Sequence, residues 1–316
     1  MLDSPLKDLE HLMSQLSTPE SPQPSETPQS SETLQRQRPV AVIGAGTLGA
    51  RIALVFSAGG SPVTIVNRSH ARGVAAKQFI DEESAAVRAD LGLNAAESGE
   101  VRVVETIPEG VANAWLVIES IAEDIDLKRQ IFHQLDREAA PDAVLATNSS
   151  SYPSSQLVEA VENPSRLLNI HFLMPPQIRV VELMSCGHTD PETISFLMGE
   201  LPAFGLLPFR VQQESVGFIF NRVWAAIKRE ALMVVEEGVT SPDELDRIWM
   251  ATIGQPPGPF RLMDQVGLDV VLAIENHYAE LRPGIPEGPR RLLREYLARG
   301  TLGVKSGSGF YDDYAH

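Results

Sequence analysis

The segment VAVIGAGTLGARIALVFSAGG, beginning at Val40, leaves this chain few folds to choose from. Val40–Ile43 reads as a buried strand, and Gly44, Gly46 and Gly49 then form G-x-G-x-x-G ahead of an apolar-faced helix. In that setting the first glycine permits a tight turn and the second lets a pyrophosphate approach the backbone. The third lets helix and strand close on one another, and the helix N-terminus favours the phosphate charge. Gly44, Gly46, Thr47, Leu48 and Gly49 are therefore candidate cofactor contacts. The alternative is a glycine turn of purely structural use.

Further strands are expected in SPVTIVNRS (61–69), VRVVE (101–105), WLVIESIAE (115–123), AVLATNSSS (143–151), LLNIHFLM (167–174) and RVVELMS (179–185), with helices between them. Such alternation predicts a parallel sheet covered on both faces. After Gln212 the pattern turns helical. One helix is expected from Val216 to a stop at Gly238, and another in SPDELDRIWMATIG behind an N-cap serine and a first-turn proline. The expected fold class is α/β, with a Rossmann-type dinucleotide-binding domain over residues 38–212 and an all-α substrate and dimerisation domain over 213–316.

Residues 1–37 are expected to form a disordered tail, because Ser17 to Gln37 is rich in Ser, Pro, Glu, Thr and Gln and offers little to bury. Ahead of that stretch, Leu2, Leu6, Leu9, Met13 and Leu16 recur as on a short amphipathic helix, which either has no role or docks a partner. A length of 316 residues suffices for two cores. The formal net charge of −16 argues against nucleic acid and anionic membrane as partners. With Cys186 as the single cysteine, neither an intrachain disulfide nor a cysteine-rich metal site can form. No apolar run approaches a membrane span, and the N-terminus lacks the features of a secretory signal, so a cytoplasmic location is expected.

The end of the second expected strand bears on the choice of cofactor. NAD enzymes usually carry a carboxylate there for the ribose 2′-hydroxyl. Here Asn67, Arg68 and Ser69 stand in its place, with Arg72 one helical turn on. A 2′-phosphate meets no repulsion, and Arg68 is suited to bond it, so NADP is expected over NAD. The alternative is a surface Arg68 and an Asn67 that accepts NAD.

Between Asn148 and Glu182 the chain assembles the parts of a proton-transfer site: hydroxyls at Ser149–Ser151, His171 inside the apolar NIHFL, and Glu182 beyond a proline pair. A base oriented by a carboxylate, with a hydroxyl for the substrate oxygen, can deprotonate an alcohol. A packed core histidine, a structural glutamate and turn-shaping serines are the competing account.

With VIGAGTLG, IESIAEDIDLK, ATNSSS, IHF, VVEL, VGFIFNR, GPFRLMDQVGLD and LGVKSGSGFYDD in this order, the chain resembles the 3-hydroxyacyl-CoA dehydrogenase family from about Val40 to Tyr314. The resemblance implies His171 as general base, Glu182 as its partner, Ser150 on the substrate oxygen and Asn221 on the substrate carbonyl. It implies Glu123 and Lys128 as cofactor contacts, although either residue alone reads equally as an exposed helix charge. Hydride transfer between NAD(P) and a small-molecule 3-hydroxyacyl thioester follows, without a metal, in a homodimer joined mostly through residues 213–316.

Departures from the family pattern are Met174-Pro175 where Asn-Pro is usual, a His171–Glu182 interval shorter by one residue, and Val216 in place of a proline. The region 81–100, where relatives that use CoA carry basic residues, is acidic, with Arg88 its only base. VVEEGVTSPDELD and Val216 resemble the lambda-crystallin branch, which implies a free 3-hydroxy-acid dehydrogenase as the alternative. A dinucleotide-binding protein without turnover is the third possibility.

Overall fold

Burial on both sides of the first strand sets the layers of the molecule. In β1 (Val40–Ile43), Val40 and Val42 enter one apolar core while Ala41 and Ile43 enter another. A strand covered on both faces needs this continuous apolar run rather than alternation. The computed structural model describes residues 37–254 and 256–314. The amphipathic stretch and nearly all of the expected disordered tail lie outside the described residues.

From β1 the chain runs through α1 (Thr47–Ala58), β2 (Val63–Val66), α2 (His70–Asp90), β3 (Val101–Val104), α3 (Ile107–Val111), β4 (Leu116–Glu119), α4 (Ile125–Glu138) and β5 (Val144–Thr147). It continues through β6 (Leu167–Met174), β7 (Ile178–Ser185), α5 (Pro191–Glu200) and β8 (Leu207–Val211). The eight strands lie in the order β3-β2-β1-β4-β5-β6-β7-β8. Helices α1, α2 and α5 pack into the core on one face, and α3 and α4 into the core on the other.

The sheet is parallel except between β6 and β7, which run antiparallel. An all-parallel sheet is thus corrected at one place, and the reason is length. Only residues 175–177 join β6 to β7, whereas a parallel crossover takes a dozen residues or more. The strand β8, absent from the sequence expectation, lies at the sheet edge, where Pro208 is tolerated and the exposed Leu207 and Phe209 blur any apolar pattern.

The helical part comprises α6 (Phe220–Glu236), α7 (Pro242–Ile253), α8 (Pro259–Val266), α9 (Leu268–Leu281) and α10 (Gly288–Ala298). Its own core gathers Leu232, Phe260, Met263, Leu268, Val271 and Leu293. Helix α6 begins at Phe220 rather than at Val216, because Gly217 (φ 78°) and Phe218 (φ 54°) take left-handed backbone. In α7 the Ser241 hydroxyl accepts from the Glu244 N–H, and Gly254 ends the helix at φ 77°. The buried Asp264 accepts from the backbone N–H of Phe310 and Tyr311 and from the Tyr314 hydroxyl, which ties the closing segment to α8.

Candidate active site

Strands β1 and β4 are neighbours, and the chain progresses outward from them in opposite directions, which opens a crevice at their carboxyl ends. A cleft of about 1200 Å³ lies there. The turn between β1 and α1 forms one wall. Gly44 sits at φ 113°, and a Cβ on it would come within 2.4 Å of the Ser120 carbonyl oxygen. A Cβ on Gly49 would meet the Gly44 carbonyl at 2.3 Å, so the third glycine is what lets helix and loop touch. A Cβ on Gly46 would meet nothing within 4 Å, so the space over this glycine is open, as the close approach of a phosphate requires. No acidic residue stands in the first turn of α1 and no side chain caps it, so its N–H groups remain available to an anion. This loop fits a dinucleotide. Leu48 lines the cleft with the three glycines, whereas Thr47 is exposed and is not part of its lining.

Asn67 follows β2, and its side-chain carbonyl accepts from the Ala45 N–H at 3.3 Å while its amide donates to the Ser69 carbonyl at 2.8 Å. Arg68 and Arg72 line the same end of the cleft, both exposed. Neither side chain has a hydrogen-bonding or ionic partner among the described residues. Glu105, across from them, pairs with His70 at 3.3 Å.

The floor of the cleft holds a network that single-residue reasoning left undecided. Lys128 is buried, not an exposed helix charge, and its Nζ lies 2.7 Å from Glu119 and 3.4 Å from Glu123. Thr147 donates to the second Glu119 oxygen at 2.6 Å. Glu123 precedes α4 in a loop, where it accepts from the Ser149 hydroxyl at 2.8 Å and the Ser150 N–H at 3.0 Å. Ser149 is therefore buried in support of the loop, while Ser150 is exposed to the cleft with its hydroxyl 3.4 Å from Glu123.

His171 and Glu182 stand directly opposite one another in the antiparallel ladder, so their side chains share a face of the sheet. A register shift between Phe172 and Met174 takes up the short interval between the strands. His171 Nδ1 lies 2.8 Å from Glu182 Oε2. Glu182 Oε1 accepts from the N–H groups of Ile219 and Phe220 at 2.8 and 2.9 Å. Burial pushes this carboxyl up, but the hydrogen bonds from His171, Phe220 and Ile219 outweigh it and hold Glu182 below the usual carboxylate range. An ionised carboxylate only accepts, so Nδ1 carries the proton and Nε2 presents a lone pair. Asn221 Nδ2 is 3.5 Å from that Nε2.

The structure thus brings Ser150, His171 and Asn221 to one cleft and places Glu182 behind the histidine. Met174 is half-exposed and takes no part in the lining. Two neighbours escaped the sequence. Asn148 lines the cleft and accepts from the Phe172 N–H at 2.9 Å, a contact that only its place beside the serines could have suggested. Phe218 stacks on His171 with ring centroids 4.4 Å apart and an interplanar angle of 11°. Nothing in GFIFNR marks Phe218 out from an ordinary core residue. Among the described residues no cluster of three His, Cys, Asp or Glu side chains is placed to hold a metal.

Comparison with known proteins gives matches along both parts of the chain. Residues 39–214 match the NAD binding domain of 3-hydroxyacyl-CoA dehydrogenase and residues 217–313 its C-terminal domain. A probable 3-hydroxybutyryl-CoA dehydrogenase of Deinococcus radiodurans is 31% identical over 283 residues, covering 85% of this chain and 98% of the relative. The 5-formyl-3-hydroxy-2-methylpyridine 4-carboxylate 5-dehydrogenase of Mesorhizobium japonicum is 30% identical over 280 residues, covering 87% and 90%. Among solved structures, (S)-3-hydroxybutyryl-CoA dehydrogenase of Ralstonia eutropha superposes with a TM-score of 0.79 at 29% identity, covering 89% of this chain and all of that one.

Proposed function

The chain belongs to the 3-hydroxyacyl-CoA dehydrogenase family of NAD-dependent oxidoreductases, and from that membership we propose that it interconverts the 3-hydroxy and 3-keto groups of an acyl thioester. The observation that carries this is the His171–Glu182 pair, with Nδ1 bonded at 2.8 Å and Nε2 open to a cleft that also holds the glycine loop. Gly44, Gly46 and Gly49 at the start of α1 would hold the dinucleotide, which would supply the hydride acceptor or donor. The chain's own residues handle the proton and the oxygen. In oxidation, the substrate hydroxyl proton passes to His171 Nε2 as the carbinol C–H pair leaves and the C=O bond forms. In reduction, the same nitrogen returns the proton. Asn221 stands 3.5 Å from that nitrogen and Ser150 lines the same cleft; both are assigned to the substrate oxygen, while Glu182 stabilises the imidazolium.

NADP is favoured over NAD in this proposal because Arg68 and Arg72 are exposed, unpartnered cations at the adenosine end and Asn67 supplies no carboxylate. A homodimer joined through the helical part is also proposed, since Val223, Ile248, Val266 and Leu281 leave apolar area exposed there.

One observation favours a free hydroxy acid instead of a thioester. Helix α2 exposes Asp81, Glu82 and Glu83, and its Lys77 is engaged by Asp81. The Mesorhizobium relative is named for a free pyridine carboxylate. Steady-state rates with 3-hydroxybutyryl-CoA, acetoacetyl-CoA, a long-chain 3-ketoacyl thioester and free 3-hydroxybutyrate decide between the two. Turnover of the thioesters is expected. Turnover of the free acid alone would overturn the substrate assignment and leave the chemistry at His171 standing.

A further inference from the structure

His171 is held in the plane of its ring by Glu182 at Nδ1, with Asn221 near Nε2. Bonds of that kind leave the imidazole free to pivot about the Nδ1–carboxylate line. Phe218 meets it out of plane, at 4.4 Å and nearly parallel. Among the described residues Phe218 is the only non-glycine with a positive φ, at 54°. A glycine takes that backbone freely, and a phenylalanine does not. The ring is 3% exposed and packs with Met184 of β7 and Val211 of β8.

The turn that carries Phe218 is fixed from both sides. The Phe218 N–H donates to the Ser215 carbonyl at 3.0 Å. Gly217 lies so close to the Tyr278 hydroxyl of α9 that a Cβ there would approach it to 1.9 Å. The next two N–H groups, of Ile219 and Phe220, hold Glu182. One turn therefore grips the carboxylate through its backbone and covers the imidazole with its side chain.

We propose that Phe218 is a positioning residue for His171: its ring stops the imidazole from pivoting, and its π-face favours the imidazolium formed on proton uptake. The proposal rests on His171 being the base of the reaction. The charged group bonded to that imidazole is Glu182 from β7. From α6, Asn221 is uncharged, and Arg222 turns to the Ser215 hydroxyl. On the β4–α4 side of the cleft, Glu119, Glu123 and Lys128 bond among themselves.

The test compares wild type, Phe218→Leu, Phe218→Tyr and His171→Ala by kcat/KM for oxidation against pH, with thermal midpoints alongside. Oxidation needs the neutral base, so its rate falls on the acid side. Loss of a stabilising π-face moves that acid limb toward lower pH, by about half a unit. Phe218→Leu is expected to show this shift and a kcat lower by about tenfold, with the KM for the nucleotide unchanged. Phe218→Tyr keeps the ring and is expected to keep the wild-type limb. A Leu variant whose limb coincides with wild type, whatever its thermal midpoint, overturns the proposal and leaves Phe218 a core residue. A Tyr variant displaced as far as the Leu variant overturns it too. His171→Ala is expected to abolish the limb. Its persistence there would show that His171 is not the base, a failure distinct from that of Phe218 alone.

Discussion

His171 Nδ1 and Glu182 Oε2 are 2.8 Å apart across adjacent antiparallel strands, the histidine 4% exposed and the glutamate 2%. The pairing depends on register. A one-residue slip between β6 and β7 would send one of the two side chains to the opposite face of the sheet. The short turn after Met174 and the shift in the ladder are thus part of the site, even though residues 174–177 do not line the cleft.

Removing the imidazole tests its role most directly. His171→Ala is expected to lower kcat at least 10²-fold while leaving nucleotide affinity nearly unchanged. Stopped-flow or steady-state turnover, with fluorescence titration of the nucleotide, reads both quantities. Near-normal turnover would remove His171 from the chemistry.

Glu182→Gln has a more specific consequence. The N–H groups of Ile219 and Phe220 hold one end of the side chain, so the amide oxygen will settle there and its NH₂ will face Nδ1. The imidazole proton is then driven to Nε2, the wrong nitrogen for accepting one. A drop in kcat of at least about 10²-fold is expected, with the fold intact by circular dichroism. Because folding lowers the Glu182 carboxyl below its ordinary value of 4.5, its contribution to stability is present above that value and lost as pH falls through the folded one. The advantage of wild type over Glu182→Gln in urea melts should therefore shrink from neutral pH toward pH about 3. An advantage that grows on acidification would contradict the assignment.

The glycine loop and the β1–α1 unit were legible because three glycines and a buried strand admit few arrangements. His171 and Glu182 were legible as types, while their contact depends on an antiparallel pairing read instead as parallel. The length of 175–177 already excluded a crossover there. Edge strand β8 was hidden because its exposed Leu207 and Phe209 obey no burial pattern. Lys128 looks like any helix charge until the fold sets it against Glu119 at the end of β4 and Glu123 just beyond it, with Thr147 of β5 bonded to Glu119. Phe218 carries no local signal at all, since its position follows from a left-handed turn between domains.

The adenosine end of the cleft can be rewritten. Under the proposed preference for NADP, Asn67→Asp with Arg68→Ala adds a carboxylate and removes a cation at this end of the cleft. The ratio of kcat/KM for NADP to that for NAD is expected to fall by about tenfold or more, the worth of one charge-assisted hydrogen bond. An unchanged ratio would mean that these residues do not read the phosphate.

Asp264 links α8 to the closing segment. Replacing it by Ala strands the N–H groups of Phe310 and Tyr311 and the Tyr314 hydroxyl. Unfolding free energy from urea titration should fall by about 2–4 kcal/mol. Activity below the transition should survive, because Asp264 does not line the cleft.

Apolar exposure across the helical part leads to the last expectation. Val223 is 55% exposed, Ile248 65% and Val266 51%. Scattered singly such residues need no explanation, and the proposed homodimer would cover them together. Light scattering at micromolar concentration should give twice the 34.5 kDa of one chain. Val223→Asp combined with Ile248→Asp should shift that mass toward a single chain, since two unpaired carboxylates buried at an interface cost several kcal/mol. A wild-type mass of one chain would mean that these side chains face solvent.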